Sequence, residues 1–224
     1  MITVHHLENS RSQRVLWLLE ELGLPYEVRR YQRDKATLQA PPELAKVHPL
    51  GKSPVITDGA ATVAESGAIV EYLIDTYGAG RLRPDVGTPE RLRYTYWLHF
   101  AEGSAMPFLL LKMVFSKVRS APVPFFVKPI VKGIAHKVMS GFVDPNLVRQ
   151  LAYMEAELAR GPWFAGAEFS AADVQMSYPV EAAAARAGMG DKYPALQDWL
   201  ARIHARAAYR RAIEVGGPYD VVPG

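Results

Sequence analysis

The chain has 224 residues, 49% apolar and 22% charged, with a formal net charge of +3, a profile that supports one large or two smaller folded domains and is at odds with disorder. So small a net charge does not itself call for nucleic acid, and the absence of cysteine excludes disulfides, a thiolate nucleophile supplied by the chain and any cysteine-based zinc site. The histidines form no His-Glu-x-x-His pattern and no apolar run reaches bilayer length, so the expectation is a cytoplasmic protein without a metal.

In chain order, residues 1–7 read as a strand, 11–22 as a helix with apolar Val15, Leu16, Leu18, Leu19 and Leu22, and 26–31 as a second strand after Gly23. His5 and His6 on that first strand point to opposite faces, which argues against a shared metal and makes His6 structural. Residues 44–48 read as a helical turn, 54–57 as a strand, Asp58-Gly59 as a hairpin turn, 62–64 as the return strand and 66–77 as a helix. The order βαβ then ββα is that of a thioredoxin-like domain. Crossover handedness sets the start of the first helix and the turn at Pro54 at one end of the sheet.

Residues 79–88 are rich in Gly and Pro and carry Arg81 and Arg83, marking a linker between a domain at 1–78 and an all-helical domain at 89–224. The fold class is therefore α/β plus all-α. In the second part, helices are expected at 89–117 with a bend near Pro107, at 146–159, at 171–187 with a kink at Pro179, and at 194–207. Before the third of these lies Pro162-Trp163-Phe164-Ala165-Gly166, and Ser170 with Asp173 forms a capping box, a structural feature. Residues 119–139 mix Pro122, Pro124 and Pro129 with Lys128, Lys132, Lys137 and apolar Phe125, Phe126, Ile130, Val131 and Ile134. The default reading is a helix that packs its apolar face inside the domain; the others are a lip over a substrate pocket and reversible contact with an anionic membrane surface.

Three short motifs carry chemistry. Ser53-Pro54 is the prime site for a cis peptide bond and exposes the Ser53 backbone for pairing with an extended ligand. Glu65-Ser66 places an acid and a hydroxyl at a helix start, with Ser66 as the cap, where the helix dipole attracts a carboxylate. Ser10-Arg11-Ser12-Gln13-Arg14 places hydroxyls at the start of the first helix, where Ser10 or Asn9 can serve as the cap.

Together with Pro49-Leu50-Gly51-Lys52-Ser53-Pro54 and Phe169-Ser170-Ala171-Ala172-Asp173, these motifs resemble the glutathione transferase family over nearly the whole chain. Residues 14–26, Ala40-Pro41-Pro42-Glu43-Leu44 and His48-Pro49-Leu50-Gly51 look most like its fungal and bacterial serine-type branch. The resemblance implies a homodimer that takes glutathione as cosubstrate and conjugates it to an apolar electrophile or uses it to reduce a hydroperoxide. It implies that Ser10 matches the catalytic serine of theta-like members, with Arg14 in the place of a following arginine; Ser12 and Asn9 remain alternatives for the hydrogen bond to sulfur. For the rest of the tripeptide it implies Glu65 on the γ-glutamyl ammonium, Ser66 on its carboxylate, Ser53 before Pro54 on the cysteinyl backbone, and Lys52 or His48 on the glycyl carboxylate. The electrophile is expected against the helical domain, where Tyr94, Trp97, Phe100, Met106, Phe108, Met113 and Phe115 supply aromatic and flexible apolar surface; for any one of them taken alone, core packing is the commoner role. A non-catalytic interaction module of the same family is the alternative, whereas a mixed-disulfide reductase lacks the thiol it needs.

Overall fold

The computed structural model describes residues 1–34, 36–37, 39–217 and 219–220. Four strands, β1 (Ile2–Leu7), β2 (Tyr26–Tyr31), β3 (Val55–Asp58) and β4 (Ala61–Ala64), form one sheet in the order β2-β1-β3-β4. β1 runs parallel to β2 with Val4 opposite Val28, and antiparallel to β3 with Val4 opposite Ile56. The parallel pair needs a crossover, and α1 (Ser12–Leu22) supplies it. Its Val15, Leu16, Trp17, Leu18, Leu19 and Leu22 are all buried, because α1 packs on the sheet on one side and on later helices on the other. Gly23 ends it at φ 66, a left-handed conformation that glycine adopts without Cβ strain.

A 3₁₀ turn at Pro42–Lys46 and helix α2 (Ser66–Tyr77) complete the first half, and neither helix nor strand occurs between Tyr77 and Pro89. The Ser53-Pro54 bond is cis, as expected. The expectation that Ser66 caps α2 is not met. Glu65 occupies the cap position, with φ 70 and no side-chain cap bond, and Ser66 is already helical.

The second half holds α3 (Pro89–Phe100), α4 (Met106–Ser120), α5 (Lys128–Val138), α6 (Asp144–Leu158), α7 (Ala171–Arg186), α8 (Pro194–Ala205) and α9 (Ala207–Gly216). The interruption expected near Pro107 is a π-helical turn, Ala101–Ala105; a second, Met139–Val143, joins α5 to α6. Each immediately precedes a helix with proline at its second position, Pro107 and Pro145. A proline ring lacks the N–H and crowds the carbonyl four residues back, and the wider turn relieves both. Pro179 lies within α7, which continues through it.

α7 is buried nearly all round, which removes the amphipathic signature. Asp173 organises its start. The fully buried carboxylate accepts from the Ser170 N–H at 3.0 Å and hydroxyl at 3.2 Å, the Phe164 N–H at 3.0 Å and the Trp199 indole N–H at 3.0 Å. Burial pushes its carboxyl up to about 6, and these donors pull the other way. The capping box is thus as read, and it also ties the 162–166 loop and α8 to α7.

The default reading of residues 119–139 is overturned. In α5 only Ala135 is buried, with Val131 and Val138 half-buried toward α4, while Phe125, Phe126, Ile130 and Ile134 are exposed.

Replacing Asp173 by Ala leaves buried donors of three residues unpaired, and each such group costs about 1–3 kcal/mol. Urea unfolding of D173A should therefore show a stability loss on the order of 3 kcal/mol, and an unchanged midpoint would remove Asp173 from this role.

Candidate active site

Two adjoining depressions lie at the end of the sheet where α1 and α2 begin. The smaller, about 180 Å³, is lined by Arg11, His48, Lys52, Ser53, Pro54, Glu65, Ser66 and Glu102. All six residues expected to hold a tripeptide are therefore brought to one cleft. The larger, about 340 Å³, has Asn9, Ser10, Arg11, Ser53, Met106, Leu109, Leu110, Met113 and Tyr178 in its wall, with Arg33, Lys117 and Arg186. Arg11 and Ser53 belong to both, so a chain lying in the cleft reaches the cavity beside Ser10.

The three hydroxyl or amide candidates differ in environment. Ser12 is completely enclosed, its Oγ 2.9 Å from His6 Nδ1 and 2.7 Å from Ser10 Oγ. Burial, aided by the Arg30 charge, lowers the His6 pKa to about 4 against the opposing effect of a hydrogen bond to the Gly216 backbone. The ring is therefore neutral near pH 7. With one ring nitrogen donating to Gly216, the other, Nδ1, accepts from the Ser12 hydroxyl. Ser12 then turns its lone pairs to Ser10. Asn9 sits at φ 51, and its carboxamide is gripped at both ends by the C-terminal segment: its Nδ2 donates to Asp220 Oδ2 at 2.8 Å, and the Asp220 N–H donates to its Oδ1 at 2.7 Å.

Ser10 and Asn9 both line the cavity, and Ser10 is the hydroxyl among them. Its Oγ accepts from the Ser12 N–H at 3.2 Å and lies 3.4 Å from Ser53 Oγ, so the first and third motifs meet there. Ser53 Oγ in turn donates to the His5 carbonyl at 3.0 Å, which pins the cis turn to β1. The start of α1 adds the positive end of its dipole.

Sequence reasoning missed Glu102, which stands in the first π turn and lines the smaller cleft. It accepts from the Arg14 guanidinium in a close ion pair, lies 3.3 Å from Arg11 Nε, and accepts from Ser66 Oγ at 3.4 Å. Arg14 is buried and also donates to the Gln175 carbonyl at 2.5 Å. The signal available was a lone acid among small residues, Ala101-Glu102-Gly103-Ser104-Ala105, in the stretch between Arg93 and Lys112 that holds no other Asp, Glu, Lys or Arg. The aromatic wall expected for the electrophile is largely absent: Tyr94, Trp97 and Phe100 are core, Trp97 stacking on Tyr153 and tilting against Phe164, and Phe108 pairs with Phe142. Met106 and Met113 alone of that set line the cavity.

Residues 1–75 match the family described as glutathione S-transferase, N-terminal domain, and residues 143–202 match glutathione S-transferase, C-terminal domain. The chain is 37% identical over 214 residues to glutathione S-transferase 3 of Schizosaccharomyces pombe, covering 96% of this chain and 87% of that one. It is 32% identical over 222 residues to glutathione S-transferase 1 of Saccharomyces cerevisiae, covering 96% and 94%. Among solved structures, a glutathione S-transferase of Actinobacillus pleuropneumoniae superposes with TM-score 0.78 at 30% identity over 99% of this chain and 95% of that one. A glutathione transferase of Phanerochaete chrysosporium in complex with oxidized glutathione superposes with TM-score 0.73 at 25% identity, covering 96% of each chain. The chain belongs to the glutathione S-transferase family.

Removing the Glu102 carboxylate strands the buried Arg14 charge, a change that typically costs about 3–5 kcal/mol. Glu102→Ala should lower the unfolding midpoint accordingly, and a variant as stable as the parent would show that Arg14 does not depend on this partner.

Proposed function

We propose that this chain is a glutathione transferase that holds glutathione in the smaller cleft and presents its sulfur to Ser10 at the mouth of the larger one. The observation that carries this reading is the meeting of Ser10 and Ser53 where the two depressions join. In the cleft, Glu65 takes the γ-glutamyl ammonium and Ser66 its carboxylate beside the start of α2, the Ser53 backbone pairs with the cysteinyl unit, and Lys52 or His48 faces the glycyl carboxylate.

A free thiol titrates near about 8.5, so a modest preference for the anion gives a substantial thiolate fraction at neutral pH. The Ser10 hydroxyl exchanges its partner Ser12 for the sulfur, and the α1 dipole adds to the preference. The thiol proton passes to solvent. The thiolate attacks an electrophilic carbon, forming the S–C bond as the leaving group departs with its electron pair. Met106, Leu109, Leu110 and Met113 suit an apolar electrophile, and a hydroperoxide is a second acceptor for the same thiolate. A homodimer in the cytoplasm, acting in detoxification, completes the reading; family membership supports it, and exposed Leu92, Tyr96, Val148 and Tyr153 on α3 and α6 offer an apolar face for a second copy.

With an aryl halide as test electrophile, Ser10→Ala should lower kcat on the order of 10²-fold while glutathione affinity changes little. Glu65→Gln should instead weaken glutathione binding about tenfold, the loss of a charge-assisted hydrogen bond. No turnover by the folded parent chain would favour the non-catalytic module, and unchanged kcat in S10A would move the role to another group.

A further inference from the structure

The segment from α4 to the second π turn is the longest acid-free interval of the chain. Between Glu102 and Asp144 there is no Asp or Glu, while Lys112, Lys117, Arg119, Lys128, Lys132 and Lys137 all fall in that interval. Lys112 pairs with Asp144, but Lys117, Arg119, Lys128, Lys132 and Lys137 are exposed and have no carboxylate partner among the described residues.

Apolar side chains stand among these cations. Phe125 is 82% exposed and Phe126 67%, packed edge to face at 5.6 Å at the tip of the α4–α5 hairpin. On α5, Ile130 and Ile134 are 61% and 56% exposed, one helical turn apart and therefore on one face. Across the helix from them, Lys128 and Lys132 join Arg119 around a depression of about 230 Å³ that also takes in Ser120, Ala121 and Val131. Four exposed apolar side chains of this size in one hairpin exceed the scattered apolar residues normal on a protein surface.

We propose that the α4–α5 hairpin docks on an anionic lipid bilayer, with Phe125, Phe126, Ile130 and Ile134 entering the interface and Arg119, Lys128 and Lys132 receiving lipid phosphates. Charge complementarity decides the occupant. A second copy applied to this face would set uncompensated cations against cations, whereas an anionic leaflet attracts them and accepts the rings beside them. The contact is peripheral. Residues 89–120 form the one continuous helical run long and apolar enough to span a bilayer among those described, but its Tyr94, Trp97, Leu98, Ala101, Met106 and Leu109 belong to the core and hold it in the domain. Lys117 and Leu110 of α4 also line the larger cavity.

The test is sedimentation of the full chain, without glutathione, with vesicles of phosphatidylcholine alone or with about 30% phosphatidylserine. The anionic vesicles should carry down about tenfold more protein than the neutral ones, and about 0.5 M salt should remove most of that difference. Phe125→Ser/Phe126→Ser and Lys128→Glu/Lys132→Glu should each fall to the neutral-vesicle level with an unchanged thermal midpoint and unchanged transferase activity in solution. Equal binding to both vesicles, no binding to either, or variants that bind like the parent would overturn the proposal. So would a change of solution mass in the phenylalanine variant, which would show that a second copy covers the face. Because binding is read without turnover, its failure is separable from failure of the transferase assignment.

Discussion

A guanidinium taken out of water must meet an anion or not be buried at all, and Arg14 of α1 is buried. Its carboxylate comes from the other half of the molecule, from Glu102 in the turn between α3 and α4. The same carboxylate reaches Arg11 at the start of α1 and Ser66 at the start of α2. One charge thus sets the spacing between the two helix starts that face the ligand cleft and fixes both against the helical domain. The π turn has a reason in this arrangement: an extra residue in the helix lets Pro107 follow, and Glu102 lies within that turn.

Around that anchor the site is built from neutral hydrogen bonds. Burial keeps His6 uncharged, so it orients Ser12 without adding a cation near the sulfur position. Ser12 orients Ser10, and Ser10 meets Ser53 of the cis turn. The Asp220 clamp on Asn9 holds the left-handed residue just before Ser10, so the far end of the chain helps shape the turn at its beginning. Glu65, with φ 70, is the other non-glycine residue of the site in left-handed backbone, a conformation that costs about 1–3 kcal/mol and persists where its surroundings enforce it.

Local features were legible in the sequence. Ser53-Pro54, the Glu65-Ser66 pair, the Ser170–Asp173 box and the βαβ-ββα order each rest on residues close in the chain and on backbone chemistry that neighbours decide. What was not legible depends on distance. Glu102 to Arg14, Asp220 to Asn9 and Asp173 to Trp199 are contacts that only the fold creates. Ser66 was misread as a cap because the cap position is held by Glu65 in a conformation that propensity disfavours. Tyr94, Trp97 and Phe100 took the core alternative rather than the pocket, a choice sequence does not decide because an aromatic in a core and one in a ligand wall look alike there. The exposed face of α5 was misread for a related reason: its apolar period is that of a packed helix, and only the three-dimensional arrangement reveals that none of the described residues covers it.

The central claim is that Ser10 stabilises the thiolate of bound glutathione, and the ultraviolet absorbance of that thiolate, titrated across pH, tests it most directly. For the parent chain at saturating glutathione the bound thiol should titrate about 1–2 units below its free value near 8.5, and in Ser10→Ala it should return close to that value. A bound thiol that titrates like free glutathione, or the same depression with and without the Ser10 hydroxyl, would contradict the account.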